Sequence, residues 1–324
     1  MHRALAVFVL LVAACGPIGV PERTFTFGSS ASPSAAGTAA PAAWRRVADI
    51  TTPRSEVAAA VFRGVVYVVG GFGGGNIAET YVADKWSAAP RYPITVDHAM
   101  AAGVDTTGTP GLYVFGGNVN GVSVARSFRL FGDQGWREIA PMPAPRSQAA
   151  AVAIGSRIYV VGGAQGDRLV SPTYVYDTAS DRWTTAASIP TPRDHLAAAA
   201  IDGRVCAVGG RKLSLLQNLA VFECYDPAAD AWRSMPDAPT ARGGLGAATI
   251  GSRMFVAGGE QPLGTFKEVD IFDSATGKWT RGPDLPTSRH GLGVIAVGST
   301  LYVMSGGPTP GSSQIAVCEA LDVR

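Results

Sequence analysis

The sequence predicts an all-β fold in which six four-stranded antiparallel sheets stand around a common axis. Three observations carry this expectation. A strand ending in two glycines recurs at a nearly fixed period. Six tryptophans fall at one phase of that period. A lone strand at the front of the chain matches a missing strand at the back.

The glycine-ended strand is YVVGG at 67–71, YVFGG at 113–117, YVVGG at 159–163, CAVGG at 206–210, FVAGG at 255–259 and YVMSGG at 302–307. The second glycines, Gly71, Gly117, Gly163, Gly210, Gly259 and Gly307, lie 46 to 49 residues apart. A period of that length is the mark of propellers and other repeat arrays. Glycine without a Cβ lets backbones approach closely and lets the chain take a positive φ as it leaves the sheet.

The tryptophans are Trp44, Trp86, Trp136, Trp183, Trp232 and Trp279. Three follow the same turn, YDTASDRW, YDPAADAW and FDSATGKW, with Asp177, Asp226 and Asp273 each six residues earlier. Such an Asp bonds its own backbone two residues on and favours a turn. Each unit therefore reads as four strands. The first is small and apolar, as in QAAAVAI at 148–154, and suits the crowded axis. The second ends in the glycines, the third in the Tyr-Asp turn. The fourth carries the Trp, large enough to fill the wider gap between outer strands.

The last unit ends at its third strand, whereas WRRVADI at 44–50 precedes any complete unit. A closed ring, with the N-terminal strand completing the sixth sheet, leaves no ragged edge between units. This is a six-bladed β-propeller. Its glycine pair, Tyr-Asp turn and Trp resemble the Kelch repeat, and the resemblance covers residues 44–324. It implies four-stranded Kelch blades and leaves function open, because Kelch propellers include binding scaffolds and unrelated enzymes. The first unit departs by shortening its turn to ADKW, the second by a longer first hairpin, VDTTGTPG.

The 324 residues are 47% hydrophobic and only 16% charged, with net charge +2, so a large core is available and nothing suggests a nucleic-acid partner. Forty glycines and 22 prolines accord with many tight turns. Residues 1–15, MHRALAVFVLLVAAC, read as a secretion signal, and VAAC resembles the lipobox of bacterial lipoproteins. That resemblance implies cleavage before Cys15, lipidation of Cys15, and a membrane-tethered protein of the bacterial cell envelope, facing outside the cytoplasm. Ordinary signal cleavage is the alternative. Residues 16–43, rich in Ala, Ser, Pro and Gly, read as a tether. Of the other cysteines, Cys206 and Cys224 are the only plausible disulfide pair, and three buried thiols, Cys318 included, are the other reading.

In a four-stranded blade the start of the first strand and the end of the second share one mouth of the channel. An arginine stands 17 residues before a glycine in five units: Arg54, Arg146, Arg193, Arg242 and Arg289, with Val96 at the place in the second. The five either brace the blades or form a cationic ring for a carboxylate or sulfate. The next two positions break the symmetry: Ser55–Glu56, Asp97–His98, Ser147–Gln148, Asp194–His195, Gly243–Gly244 and His290–Gly291. His98, His195 and His290 thus gather at one mouth, as structural histidines or as ligand-binding ones. A metal is not expected, since ligands from blades 2, 4 and 6 would have to span the channel, and no cofactor is implied.

The leading expectation is a scaffold that recognises a protein or glycan, anionic ones included, through Arg54, Glu56, His98, Arg146, Arg193, His195, Arg242, Arg289 and His290. The Kelch resemblance also implies two alternatives. Bacterial six-bladed relatives include sialic-acid mutarotases, whose acid/base carboxylate would here be Glu56 or Glu260 beside an arginine. The third expectation is a purely structural envelope protein. Galactose oxidase is a poor match, because no Tyr/His copper cluster is present.

Overall fold

The structure, a computed structural model, describes residues 43–105 and 109–323. The leader over 1–15 with Cys15, and the tether over 16–43 except its last residue, lie outside the described residues.

The described residues form six four-stranded antiparallel sheets. Blade 1 comprises Ala58–Phe62, Val65–Val69, Ala78–Val82 and Lys85–Ala88. Blades 2 to 5 repeat that order, and their inner strands are Met100–Val104, Ala150–Ile154, Ala197–Ile201 and Gly246–Ile250. Blade 6 takes Gly293–Val297, Thr300–Met304 and Cys318–Asp322 from the C-terminal end and Trp44–Val47 from the N-terminal end. The register is Trp44↔Leu321, Arg45↔Ala320, Arg46↔Glu319 and Val47↔Cys318. The expected closure is therefore present. Three two-stranded hairpins, at 118–123, 164–169 and 260–265, extend the loops after the second strands.

The inner strands are built from Ala, Val and Gly because they converge. A Cβ on Gly103 would fall on the carbonyl of Val61 in blade 1, and one on Gly246 would meet Val294 in blade 6. Between blades, six apolar clusters are buried. One joins Phe222 of blade 4 to Met254 and Phe272 of blade 5, with Trp279 against it.

The tryptophans also hydrogen-bond, which the sequence analysis missed. Each indole Nε1 donates to a backbone carbonyl at the end of the preceding blade. The acceptors for Trp86, Trp136, Trp183, Trp232, Trp279 and Trp44 are Ala48, Pro90, Ala140, Ala187, Pro236 and Pro283, at 2.8–3.0 Å. The last of these carries the latch across the ring closure. Each ring, buried in Trp86 and half-buried in the other five, is thus locked in place by its polar edge.

The glycine pairs form a second circuit. The N–H groups of Gly71, Gly117, Gly163, Gly210, Gly259 and Gly306 donate to the next blade's Val96, Arg146, Arg193, Arg242, Arg289 and Arg54 carbonyls, at 2.8–2.9 Å. Gly163 has φ 87°, and a Cβ there would lie 2.5 Å from the Ser147 carbonyl oxygen. Gly163→Ala is expected to lose about 2 kcal/mol or more. Gly166→Ala, at φ 60° with open space around it, should lose only about 1 kcal/mol. Thermal unfolding of the two variants measures the contrast, and equal losses would contradict it.

Cys206 and Cys224 stand opposite each other on adjacent strands of blade 4 and are joined in a disulfide. Cys318 is a buried free thiol. The Asp turns form as expected: Asp177, Asp226 and Asp273 accept from the N–H two residues on, in Ala179, Ala228 and Ala275.

Candidate functional site

The five arginines lie at the expected height, but their guanidinium groups do not face the mouth. All five residues are 0% exposed. Each side chain turns back under the second and third strands of its own blade. Arg193 donates to the carbonyls of Thr191, Ala207 and Gly209 and to the Glu223 carboxylate at 2.6 Å. Arg242 pairs with Asp270 at 2.7 Å, Arg289 with Glu319 at 2.6 Å, and Arg54 with Glu79. Arg146 has no acid there. Tyr174 occupies the corresponding position, its ring centroid 4.2 Å from the guanidinium carbon, and burial pulls the arginine down to about 10. In blade 2 both partners are apolar, Val96 with Phe128, in one buried cluster. The expected cationic ring is thus corrected to a set of internal blade braces. A buried guanidinium is costly unless it is paired or hydrogen-bonded, and these five are met by backbone carbonyls, with an acid beside four of them.

The two positions after the arginine do build the mouth. In blades 1 to 5 the first forms a bridge to the residue that follows the glycine pair, Ser55↔Phe72, Asp97↔Asn118, Ser147↔Ala164, Asp194↔Arg211 and Gly243↔Glu260, and in blade 6 His290 bridges to Gly307, the second glycine of its pair. The second is left-handed in every blade. Glu56, His98, Gln148, His195, Gly244 and Gly291 have φ between 51° and 67°. Their backbones join head to tail. The N–H of His98, Gln148, His195, Gly244 and Gly291 each donates to the carbonyl of the preceding member, and Val57 N–H closes the circle onto Gly291. This turn aims the side chains of Glu56, His98 and His195 at the axis. Gly291 leaves the room, since a Cβ there would be 2.5 Å from Glu56 Oε1.

Eight polar side chains meet at the ring. His98 Nε2 lies 3.4 Å from Glu56 Oε2 and 3.3 Å from His195 Nε2. His290 Nε2 lies 3.4 Å from Glu56 Oε1 and 3.6 Å from Glu260 Oε2. Behind the imidazoles, Asp97 holds His98 Nδ1 at 2.6 Å and Asp194 holds His195 Nδ1 at 2.5 Å. Arg211 donates to His195 Nε2 at 2.8 Å and to Glu260 Oε1 at 2.6 Å. The Gly311 N–H occupies the other Glu260 oxygen, at 3.0 Å. Asp97 and Asp194 stood among the symmetry-breaking pairs in the sequence but not among the expected ligand-binding residues, and Arg211 was not singled out. The signal for Arg211 was its place directly after the glycine pair, the position that also supplies Glu260.

The charges are mutually adjusted. Burial pushes the Glu56 carboxyl up, but His98, His195, His290 and Arg211 outweigh it and hold Glu56 below the usual carboxylate range. Burial disfavours charge on His98, yet Glu56 and Asp97 leave it above the ordinary imidazole value. Burial, reinforced by Arg211, leaves His195 below that value despite Asp194. A neutral His195 with its proton on Nδ1 toward Asp194 presents an Nε2 lone pair to Arg211, which agrees with the contacts.

A cavity of about 90 Å³ lies at the ring, lined by Glu56, His98, Gln148 and His195 together with Leu196 and Leu292. Small-molecule sites usually enclose about 300–1,000 Å³, so this one has the size of an ion or a few waters. Blades 2 and 4 bring His98 and His195 together, whereas His290 of blade 6 joins a separate set with Glu56 and Glu260, so the three histidines do not share one ligand position. The inner strands converge so tightly that the rings of His98 and His195 touch edge to face, centroids 5.1 Å apart.

Fold and site define a closed six-bladed propeller with an acid–base cluster plugging one mouth. A family model of the KLHDC2/KLHL20/DRC7 Kelch-repeats domain matches residues 85–237 and a Kelch motif matches residues 241–286. The chain belongs to the Kelch-repeat family. It is 27% identical over 148 residues to Kelch repeat and BTB domain-containing protein 1 of camelpox virus, covering 43% of this chain and 25% of that protein. It is 39% identical over 67 residues to a putative F-box/kelch-repeat protein of Arabidopsis thaliana, covering 20% of this chain and 18% of that one. The chain thus spans about a quarter or less of these relatives' length. The solved structure titled "Structure of YjhT" superposes with TM-score 0.73 at 15% identity, over 84% of this chain and 95% of that one, a likeness of fold.

Proposed function

We propose that the propeller is a docking platform that holds a protein partner on its mouth face. One observation carries the reading. Among the described residues the exposed large aliphatic side chains are Val82, Val122, Leu213, Leu216 and Leu263, and all but Val82 stand on loops of the mouth face. Leu216 is 84% exposed and Leu263 96%. Apolar groups grouped on one face of a rigid scaffold favour a partner with a complementary apolar surface. Exchange of a sugar's anomers by Glu56 or Glu260 has less support, because the cavity beside them is far smaller than a sugar site. The leader MHRALAVFVLLVAAC supports the further reading that Cys15 tethers the platform to the outside of a bacterial membrane.

Cross-linking of the full chain in its native envelope, followed by purification, tests the platform. A protein recovered with the wild type should be lost from Leu216→Asp combined with Leu263→Asp. It should be retained by Val82→Asp, at the opposite end of the blades. Melting points should stay within about 2 °C, since surface exchanges are worth about 0.5 kcal/mol or less. Identical recovery from both variants would overturn the reading.

A further inference from the structure

We propose that the mouth cluster is a binding site for one divalent transition-metal ion of the zinc class, with His98 Nε2, His195 Nε2 and Glu56 Oε2 as ligands. The inference does not depend on the docking platform. Bonds of about 2.0–2.1 Å to imidazole nitrogen and carboxylate oxygen set tetrahedral donors about 3.4 Å apart. The structure has the two imidazole nitrogens 3.3 Å apart and His98 Nε2 3.4 Å from Glu56 Oε2. All three donor atoms lie within 4.8 Å of one another.

The surroundings match the donors. Both histidines give their Nδ1 to a carboxylate, Asp97 and Asp194, which leaves each Nε2 facing the cavity. That arrangement fixes the tautomer and ring orientation of a metal ligand and strengthens it as a donor. Asp194 is itself anchored by the Leu213 N–H at 2.7 Å. The ligands sit on a backbone ring closed by hydrogen bonds, so little order remains to be imposed on binding. Four carboxylates, Glu56, Asp97, Asp194 and Glu260, face one guanidinium, Arg211, an acidic excess that a divalent cation would neutralise. The cavity of about 90 Å³ has room for the ion and a water at its fourth position, the arrangement of an open zinc site.

Arg211 competes with the ion. Its Nη2 hydrogen bond occupies the His195 lone pair that the metal needs. The side chain can release that bond and stay tied to Glu260 Oε1 through Nη1, with its Nε 3.6 Å from Asp194 Oδ2. Arg211 therefore acts as a gate on affinity, and its removal should tighten metal binding.

The test adds Zn2+ or Co2+ to the chelator-treated full chain. One ion should bind per chain, and Co2+ should give the intense visible bands of a four-coordinate complex. His98→Ala should weaken binding by a hundredfold or more, and Asp194→Asn by roughly 10–100-fold. Arg211→Met should strengthen it about tenfold, the worth of one charge-assisted hydrogen bond. Melting curves of each variant without metal separate lost ligands from lost folding, and the wild-type Co2+ spectrum needs no variant. Absence of saturable binding would overturn the site, as would a weak six-coordinate spectrum, or binding by folded His98→Ala equal to wild type. Protons on the imidazoles would then balance the carboxylates.

Discussion

Arg193→Val should lower stability by about 3–5 kcal/mol, because it strands the Glu223 carboxylate in a site from which water is excluded. Arg193 and Glu223 are 0% and 2% exposed, and the guanidinium also serves three backbone carbonyls. For a domain of this size each kcal/mol shifts the melting midpoint by roughly 2–4 °C, so a fall of about 10 °C is expected. The chain itself supplies the rescue. Blade 2 builds the same position from Val96 and Phe128, and both lie in a buried apolar cluster. Arg193→Val combined with Glu223→Phe should recover more than half of the loss, since a well-packed apolar pair often replaces a buried ion pair without penalty. Calorimetry of wild type, single and double variants decides. A double variant as unstable as the single one would mean that the brace works through its carbonyl bonds, not through charge compensation.

Deletion of residues 44–49 should be comparably destabilising and should add aggregation. It removes Val47 and the Trp44 latch to Pro283, and it uncovers the edge of Cys318–Asp322. Burial of one large apolar side chain is worth about 1.5–3 kcal/mol, and an exposed strand edge invites pairing between molecules. Loss of more than about 3 kcal/mol, with aggregation, is the expected result. A circular permutant that carries 44–49 after Arg324 should restore the melting point, because Trp44 already pairs with Leu321 and a short hairpin can join them. Scattering and thermal denaturation measure both effects. A deletion variant as stable and monodisperse as wild type would show that closure is dispensable.

The sequence made the ring legible because its demands repeat. Glycine pairs, Tyr-Asp turns and tryptophans recur at one period, and each answers a geometric need that every blade shares. The arginines recur for the same reason, yet their direction was not legible. A side chain at the entry to a blade can face the axis or fold under the sheet, and spacing along the chain does not distinguish the two. The deciding sign was internal: where Val96 replaces the arginine, Phe128 replaces the acid, and where the acid becomes Tyr174 the arginine stacks on its ring. Glu56, His98 and His195 were found through broken symmetry. Their place at one mouth was legible, but whether they converge or splay was left open, because that depends on a left-handed backbone, for which Gly244 and Gly291 at the same position were the hint.

The head-to-tail circle of left-handed residues separates architecture from chemistry. Its continuity rests on main-chain N–H and carbonyl groups, which every amino acid but proline supplies, so the annulus can close around different side chains within the limits set by a left-handed φ and the space at each seat. Glutamate, histidine and glutamine hold four of these seats, and Gly244 and Gly291 leave two of them bare. A substitution at Gln148, where the ring already holds a side chain, alters what the axis presents, whereas a Cβ at Gly291 would meet Glu56. Divergence among repeats can therefore write new reactivity onto the hub without renegotiating the wheel.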